Sequence, residues 1–327
     1  MKEKKKVFVF VGQGSQYRRM GQELYENNPV FNSSLKQSET IIKKHLNRSL
    51  IEELYINDDR NFDDVLITHP AIVAVEIAMY EVLNSLGVFP DYVLGSSLGE
   101  FAAGVAGGIW DATTAIEAAI EQAKCIDKKG GIGTGAMIAV IDQEQRLEKS
   151  SFLEYNLYLA SDNFEGHYTL SGLNSDLAKF QEFLRIQDVS FIPLPVQVPF
   201  HSPLIHDSIL DFDKYTSTFC NINPYPNEKF ISGLEGKQLS KIPEDYFGKV
   251  VSKYADFSKS IQYLERKGNC MYIDLGPSGT GATFVKYNLN GIQDNFKTFA
   301  IMNPFKNETN RLNELQEVLK TKDYLFC

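Results

Sequence analysis

Apolar residues in this chain fall into short unbroken runs and longer stretches of helical spacing. Val7-Phe8-Val9-Phe10-Val11, Tyr92-Val93-Leu94 and Met271-Tyr272-Ile273-Asp274-Leu275 are of the first kind. With little or no polar alternation, they predict strands buried on both faces, as in a parallel sheet. Helical spacing covers much of the chain to about residue 54, then Ala71 to Tyr80 behind Pro70, then Asp111 to about Lys128. The segment Ala71–Tyr80 is apolar nearly all round, which predicts a helix packed against the sheet. Strands alternating with helices imply an α/β fold, a hydrolase-like core around a central parallel sheet.

The pattern changes at Gly130-Gly131-Ile132-Gly133-Thr134-Gly135. Beyond it the expected order is strand (Ala136 to Ile141), helix (Gln143 to Glu154), strand (Leu157 to Ala160), strand (His167 to Ser171), helix (Ser175 to Ile186) and strand (Phe191 to Val198). That β-α-β-β-α-β sequence is the signature of a ferredoxin-like unit. The expected organisation is a large domain of residues 1–135 and 199–327, with residues 136–198 inserted as a small subdomain.

Glycine-rich turns end several of the predicted strands, where an open α/β sheet places its ligand chemistry. Gly12-Gln13-Gly14-Ser15-Gln16 follows the first but lacks the Gly-Lys-Ser/Thr ending of a phosphate loop. Gly95-Ser96-Ser97-Leu98-Gly99 follows the second and leads into the small-residue helix Phe101–Ala106. G-x-S-x-G alone is common, but between a strand and a helix it puts Ser97 at the apex of a strained turn, with backbone N–H groups aimed at the same point.

A serine hydroxyl needs a base within hydrogen-bond reach. Of five histidines (His45, His69, His167, His201, His206), His201 lies between two prolines where the inserted unit rejoins the main body, and His206 is the second candidate. The esterase order Ser, Asp or Glu, then a late His is not met, because no histidine follows residue 206.

Composition narrows the classes. The 327 residues carry a net charge of −9, which is unsuited to a nucleic-acid surface. No apolar run approaches the ~20 residues of a membrane span, and the lysine-rich start leads into a strand rather than a signal segment, so a cytoplasmic protein is expected. The four cysteines (Cys125, Cys220, Cys270, Cys327) lack metal-site or disulfide spacing. Arg18, Arg19, Lys124, Lys128 and Lys129 could form a local docking patch for an acidic partner, or simply a solvated face.

Six motifs taken together resemble the malonyl-CoA:acyl carrier protein transacylase family, the acyltransferases of fatty acid and polyketide synthesis. They are Phe10-Val11-Gly12-Gln13-Gly14-Ser15-Gln16, Thr68-His69-Pro70-Ala71, Gly95-Ser96-Ser97-Leu98-Gly99-Glu100, Gly133-Thr134-Gly135-Ala136-Met137, Val198-Pro199-Phe200-His201 and Asp274-Leu275-Gly276-Pro277. The resemblance implies Ser97 as nucleophile, His201 as base, and the main-chain N–H groups of Gln13 and Leu98 as the oxyanion hole. It also implies a main-chain carbonyl near Val250 orienting the histidine, and a substrate pocket at Gln122, Ser96, His69, Phe200 and Asn163. Phe101 and Leu204 are further candidates for the pocket wall or for plain core. No metal and no bound cofactor is implied. The substrate is an acyl thioester of coenzyme A or of the phosphopantetheine arm of an acyl carrier protein, the implied partner.

Departures from the family pattern bear on the substrate. Gln122 stands where malonyl-using members carry an arginine, and an amide cannot neutralise a buried carboxylate. Ser96 replaces the family's histidine and His69 its glutamine, both polar uncharged groups able to place water. Arginine loss with the serine and histidine retained resembles the acyltransferase-like acyl hydrolases of trans-acyltransferase polyketide pathways. The expected activity is serine-dependent hydrolysis of acyl-carrier thioesters. Transacylation between coenzyme A and a carrier, and a non-catalytic carrier-docking role, stand beside it.

Overall fold

The computed structural model describes residues 4–57, 62–148, 150–289 and 297–320. Cys327 and the lysine at position 2 lie outside these residues. The strands in chain order are β1 (Lys5–Phe10), β2 (Tyr92–Gly95), β3 (Gly135–Ile141), β4 (Tyr158–Phe164), β5 (His167–Leu173) and β6 (Ser190–Pro193). There follow β7 (Phe230–Ser232), β8 (Lys237–Gln238), β9 (Ala255–Asp256), β10 (Cys270–Asp274) and β11 (Thr298–Ala300).

Two sheets result. The first has the order β11-β10-β1-β2-β7-β8, parallel except for the β7–β8 hairpin at its edge. Its three central strands are the predicted apolar runs; Val7 to Phe10, Val93, Leu94 and Met271 to Ile273 are wholly buried because helices cover both faces. The second sheet has the order β6-β3-β5-β4-β9. Its first four strands pair antiparallel in the ferredoxin-like order. A fifth strand, β9, joins parallel to β4 from beyond the inserted stretch.

Four local expectations fail for identifiable reasons. The helix expected to begin at Pro70 runs over Val65–Ser85, starting at Asp64, whose carboxylate accepts from Leu66 N at 3.1 Å. Pro70 therefore sits inside a helix and forfeits one main-chain bond, a loss outweighed by burial of sixteen of the 21 residues. That helix is also long and apolar enough to cross a membrane, contrary to the expectation that no such stretch exists; 83% of its most apolar window is buried in the protein.

The helix expected over Gln143–Glu154 is a set of turns followed by a 3₁₀ segment, Ser151–Tyr155. The Asp142 carboxylate takes the N–H groups of Arg146 (2.8 Å) and Leu147 (3.0 Å), a local alternative to helical bonding. Finally, β6 ends at Pro193 rather than Val198, since Pro193 and Pro195 cannot donate to a ladder.

Candidate active site

Everything at the site converges on the carboxyl ends of β1 and β2. After β2 the chain reverses through Ser96-Ser97 into the helix Gly99–Ala106. Ser97 has φ 52°, in the left-handed region where a residue with a side chain costs about 1–3 kcal/mol. The turn is this tight because side chains at its flanks are excluded. A Cβ on Gly95 would strike the backbone of Glu100, and one on Gly99 the backbone of Phe10. Ser96 N–H donates to Phe10 O at 2.9 Å, which ties the turn to β1.

The buried Glu100, one residue into this helix, anchors it. Its carboxyl accepts from Leu234 N at 2.8 Å and from the Tyr246 hydroxyl. Burial pushes its pKa up to about 8. Tyr246 opens the helix Tyr246–Ser252, whose far end holds the candidate base.

His201 also has a left-handed backbone, φ 55°. Its loop is clamped by Ser202 Oγ donating to Pro199 O at 2.6 Å and by His201 N–H donating to Val251 O at 2.9 Å. The ring's Nε2 lies 2.7 Å from Ser97 Oγ, and its Nδ1 lies 2.6 Å from Lys253 O. A carbonyl only accepts, so Nδ1 carries the proton and Nε2 offers its lone pair to the serine hydroxyl. Burial lowers the imidazole pKa, partly opposed by the Lys253 carbonyl, so the ring is neutral at pH 7.

The orienting carbonyl is thus that of Lys253 and not of Val250. Val250 lies within the helix, whereas Val251 and Lys253 stand at its end, where carbonyls are left without intrahelical partners.

Gln13 and Leu98 line the cavity together with Ser97. A Cβ on Gly12 would come within 2.9 Å of Leu98 N and 3.1 Å of Ser97 Cβ, so only glycine lets the loop carrying Gln13 N–H lie against the turn. Among the described residues, no group accepts from the N–H of Gln13 or of Leu98. Val11 N–H donates to the buried Glu76 at 2.6 Å, and Gln16 Nε2 donates to Pro195 O at 2.8 Å, fixing both ends of the loop.

The cavity above Ser97 has a volume of about 220 Å³. Ser96, His69, Phe200 and Asn163 line it together with Gln13, Leu98, Ser97 and His201. Asn163 Nδ2 lies 3.0 Å from His167 Nδ1 and donates to Thr169 Oγ1 at 3.2 Å, so the small sheet supplies a polar wall.

Gln122 does not reach the cavity. It is wholly buried next to His69, which lines the cavity while Gln122 does not. Its amide is close enough to favour a protonated imidazole slightly, yet no atom of either side chain attains hydrogen-bond geometry. Burial dominates and pushes His69 down to about 3.

Phe101 is core, packed on Trp110 and Phe247, and Leu204 is exposed, so neither walls the cavity. His206 is exposed at the start of its helix, and His45 pairs with Glu117 at 3.0 Å. Of the basic residues proposed for docking, Arg18 lies over Phe62 and bonds the Glu53 carbonyl, while Lys129 pairs with Asp211 at 3.2 Å.

Sequence reasoning missed His167, Lys253 and the Glu100–Tyr246 link. His167 was visible only as one of five histidines in a predicted strand. The Lys253 carbonyl leaves no side-chain signal at all. Glu100 was inside a quoted motif, but its partner lies 146 residues away.

A serine held in a strained strand-to-helix turn, a neutral imidazole on its hydroxyl and two main-chain donors beside it can accept and release an acyl group. The chain belongs to the acyl transferase domain family, whose match covers residues 7–266. Among its relatives is the polyketide biosynthesis acyltransferase homolog PksD of Bacillus subtilis (strain 168), 37% identical over 98% of both chains. Another is the homolog BaeD of Bacillus velezensis, 31% identical over 95% of both.

Solved structures agree in fold. The acyltransferase domain from the second module of the salinomycin polyketide synthase matches 97% of this chain and 74% of its own, with a TM-score of 0.84 and 24% identity. The malonyl CoA-acyl carrier protein transacylase of Clostridium perfringens matches 97% of this chain and 100% of its own at TM-score 0.77 and 24% identity.

Proposed function

We propose that this chain is a serine-dependent acyl-thioester hydrolase of polyketide biosynthesis, acting in the cytoplasm on uncharged acyl groups carried by an acyl carrier protein. The observation that carries the reading is the 2.7 Å contact between Ser97 Oγ and His201 Nε2 in a cavity lined, among the described residues, by no lysine or arginine.

Ser97 Oγ attacks the thioester carbonyl carbon while His201 Nε2 takes the hydroxyl proton. The N–H groups of Gln13 and Leu98 donate hydrogen bonds to the developing oxyanion, each such donor contributing about 2.7–4 kcal/mol in comparable sites. The imidazolium then returns its proton to the departing sulfur, leaving acyl-Ser97 and the free thiol of the phosphopantetheine arm. Water attacks the ester carbonyl as His201 takes its proton, and the imidazolium then protonates Ser97 Oγ as its bond to the acyl carbon breaks, releasing the carboxylic acid and restoring the serine. The chemistry calls for no metal and no bound cofactor, and neither nucleic acid nor membrane is a partner.

Malonyl is disfavoured, because its carboxylate would be desolvated in a pocket where every histidine is held below its ordinary pKa by burial. The names of the relatives favour a second reading, transfer of the acyl group to another carrier or to coenzyme A. Acetyl-, butyryl- and malonyl-thioesters of carrier and coenzyme A, followed by intact mass, separate the two. Acyl-Ser97 that decays to free acid supports the hydrolase. Passage of the acyl group to holo-carrier supports the transacylase, and carrier binding with no acylation supports a docking role.

A further inference from the structure

The catalytic groups account for Ser97, His201 and the main-chain donors, but not for the polar cluster on the wall built by the helix Val65–Ser85 and the glycine-rich loop. Gln13 Nε2 donates to Thr68 Oγ1 at 2.8 Å, which fixes the amide and leaves Gln13 Oε1 buried without a partner. Next along the helix, His69 is 1% exposed and lines the cavity with neither ring nitrogen bonded. Its ring is held by Phe200, with centroids 5.2 Å apart. Beside it, both amide atoms of Gln122 are also unpartnered.

Each buried polar group left unpaired costs about 1–3 kcal/mol. Native interiors carry few of them. Here Gln13 and His69 border a substrate cavity, and a site that presents such groups discriminates strongly for a ligand able to bond them.

The chemistry of that ligand follows from the cluster. A carboxylate would need a cation, and the cavity lining contains none among the described residues. A plain alkyl chain would leave Gln13 Oε1 and the His69 nitrogens as they are. A hydroxyl both donates and accepts, so it can serve the Gln13 acceptor and the His69 ring together.

We propose that His69 and Gln13 are specificity determinants, and that the preferred substrates are short acyl thioesters bearing a neutral oxygen in the acyl chain, with 3-hydroxyacyl groups foremost. This rests on the acyl-enzyme reading above.

The test compares kcat/KM for 3-hydroxybutyryl-, butyryl- and malonyl-carrier thioesters in the wild type, His69→Leu and His69→Asn. The wild type is expected to favour 3-hydroxybutyryl over butyryl by ~10-fold or more. His69→Leu, which removes both ring nitrogens, brings that ratio close to unity, and His69→Asn, which keeps a donor and an acceptor, retains part of it. A wild-type ratio at or below unity overturns the inference even if neither variant folds. So does a ratio that both folded variants leave unchanged. Butyryl labelling of Ser97 without a hydroxyl preference refutes this inference alone, whereas failure of every thioester to acylate Ser97 refutes the catalytic reading and this inference with it.

Discussion

Two of the three histidines that border the cavity are treated by the fold in opposite ways. His201 sits on a strained loop with both ring nitrogens engaged, one by Ser97 and one by the Lys253 carbonyl. His69 sits on a regular buried helix with neither engaged. The contrast separates two uses of the same side chain. A ring bonded at Nδ1 has a defined tautomer and a lone pair aimed at one oxygen, as proton transfer requires. A ring whose nitrogens meet no protein group in good hydrogen-bond geometry keeps its donor and its acceptor for whatever enters the cavity.

Substitutions should divide along this line. The largest effect belongs to the dyad: Ser97→Ala and His201→Ala are each expected to lower kcat by ~10⁴-fold or more, with the double variant little worse than either. Free-acid release from a carrier thioester measures this, and additive losses would mean that the two side chains do not act as one unit.

The next largest concerns malonyl. Gln122 adjoins His69 outside the cavity lining, so Gln122→Arg alone is expected to gain almost no malonyl loading. Combined with His69→Gln, which opens a path for the guanidinium, the gain should be ~10²-fold or more, the scale of a buried charge acquiring its partner. Mass labelling of Ser97 by malonyl-CoA checks it. If the single variant loads malonyl as well as the double one, His69 is not the barrier.

The pH profile sharpens the comparison further. His201 must be neutral to accept the proton, and burial lowers its pKa in the folded protein, so activity persists as the medium is acidified and is lost only below the ordinary histidine value of about 6.5. His69→Leu should leave this acid limb where it is, since His69 is already neutral throughout that range. A limb that moves with His69 would mean that the two rings titrate together.

The smallest effect is on stability. Because His69 is buried and unbonded, His69→Leu exchanges an unpaired polar ring for an apolar side chain. The expected result is a Tm unchanged or raised by about 2 °C. A fall of more than about 4 °C by thermal unfolding would show that the ring carries a structural bond in the unliganded protein.

The central strands and the glycine-rich turns were legible in the sequence because burial on both faces and close backbone approach each demand particular residue types. Val7 to Phe10 and Tyr92 to Leu94 had little other reading as a pair flanking two glycine-rich loops. The start of the helix at Val65 was not legible, because Pro70 gives a local signal for a helix start and tertiary burial overrides it. The stretch Gln143–Glu154 misled in the other direction: its spacing allows a helix, but Asp142 captures the backbone first. At the site, motif matching singled out Ser97 and His201, which lie 2.7 Å apart, but put the orienting carbonyl near Val250, three residues short of Lys253, because a main-chain acceptor is set by where a helix ends and not by residue type.

By itself the amino-acid order determined which strands are buried, which turns need glycine, and which serine and histidine bear the marks of chemistry, since each of these depends on local sterics or on residue identity. Only the tertiary structure decided that Ser97 and His201, 104 residues apart, meet at hydrogen-bond distance, that Lys253 fixes the tautomer, and that His69 lines the cavity while Gln122 does not. The physical reason is that hydrogen bonds and occlusion are fixed to within an ångström by the packing of distant segments, and chain spacing carries no information at that scale.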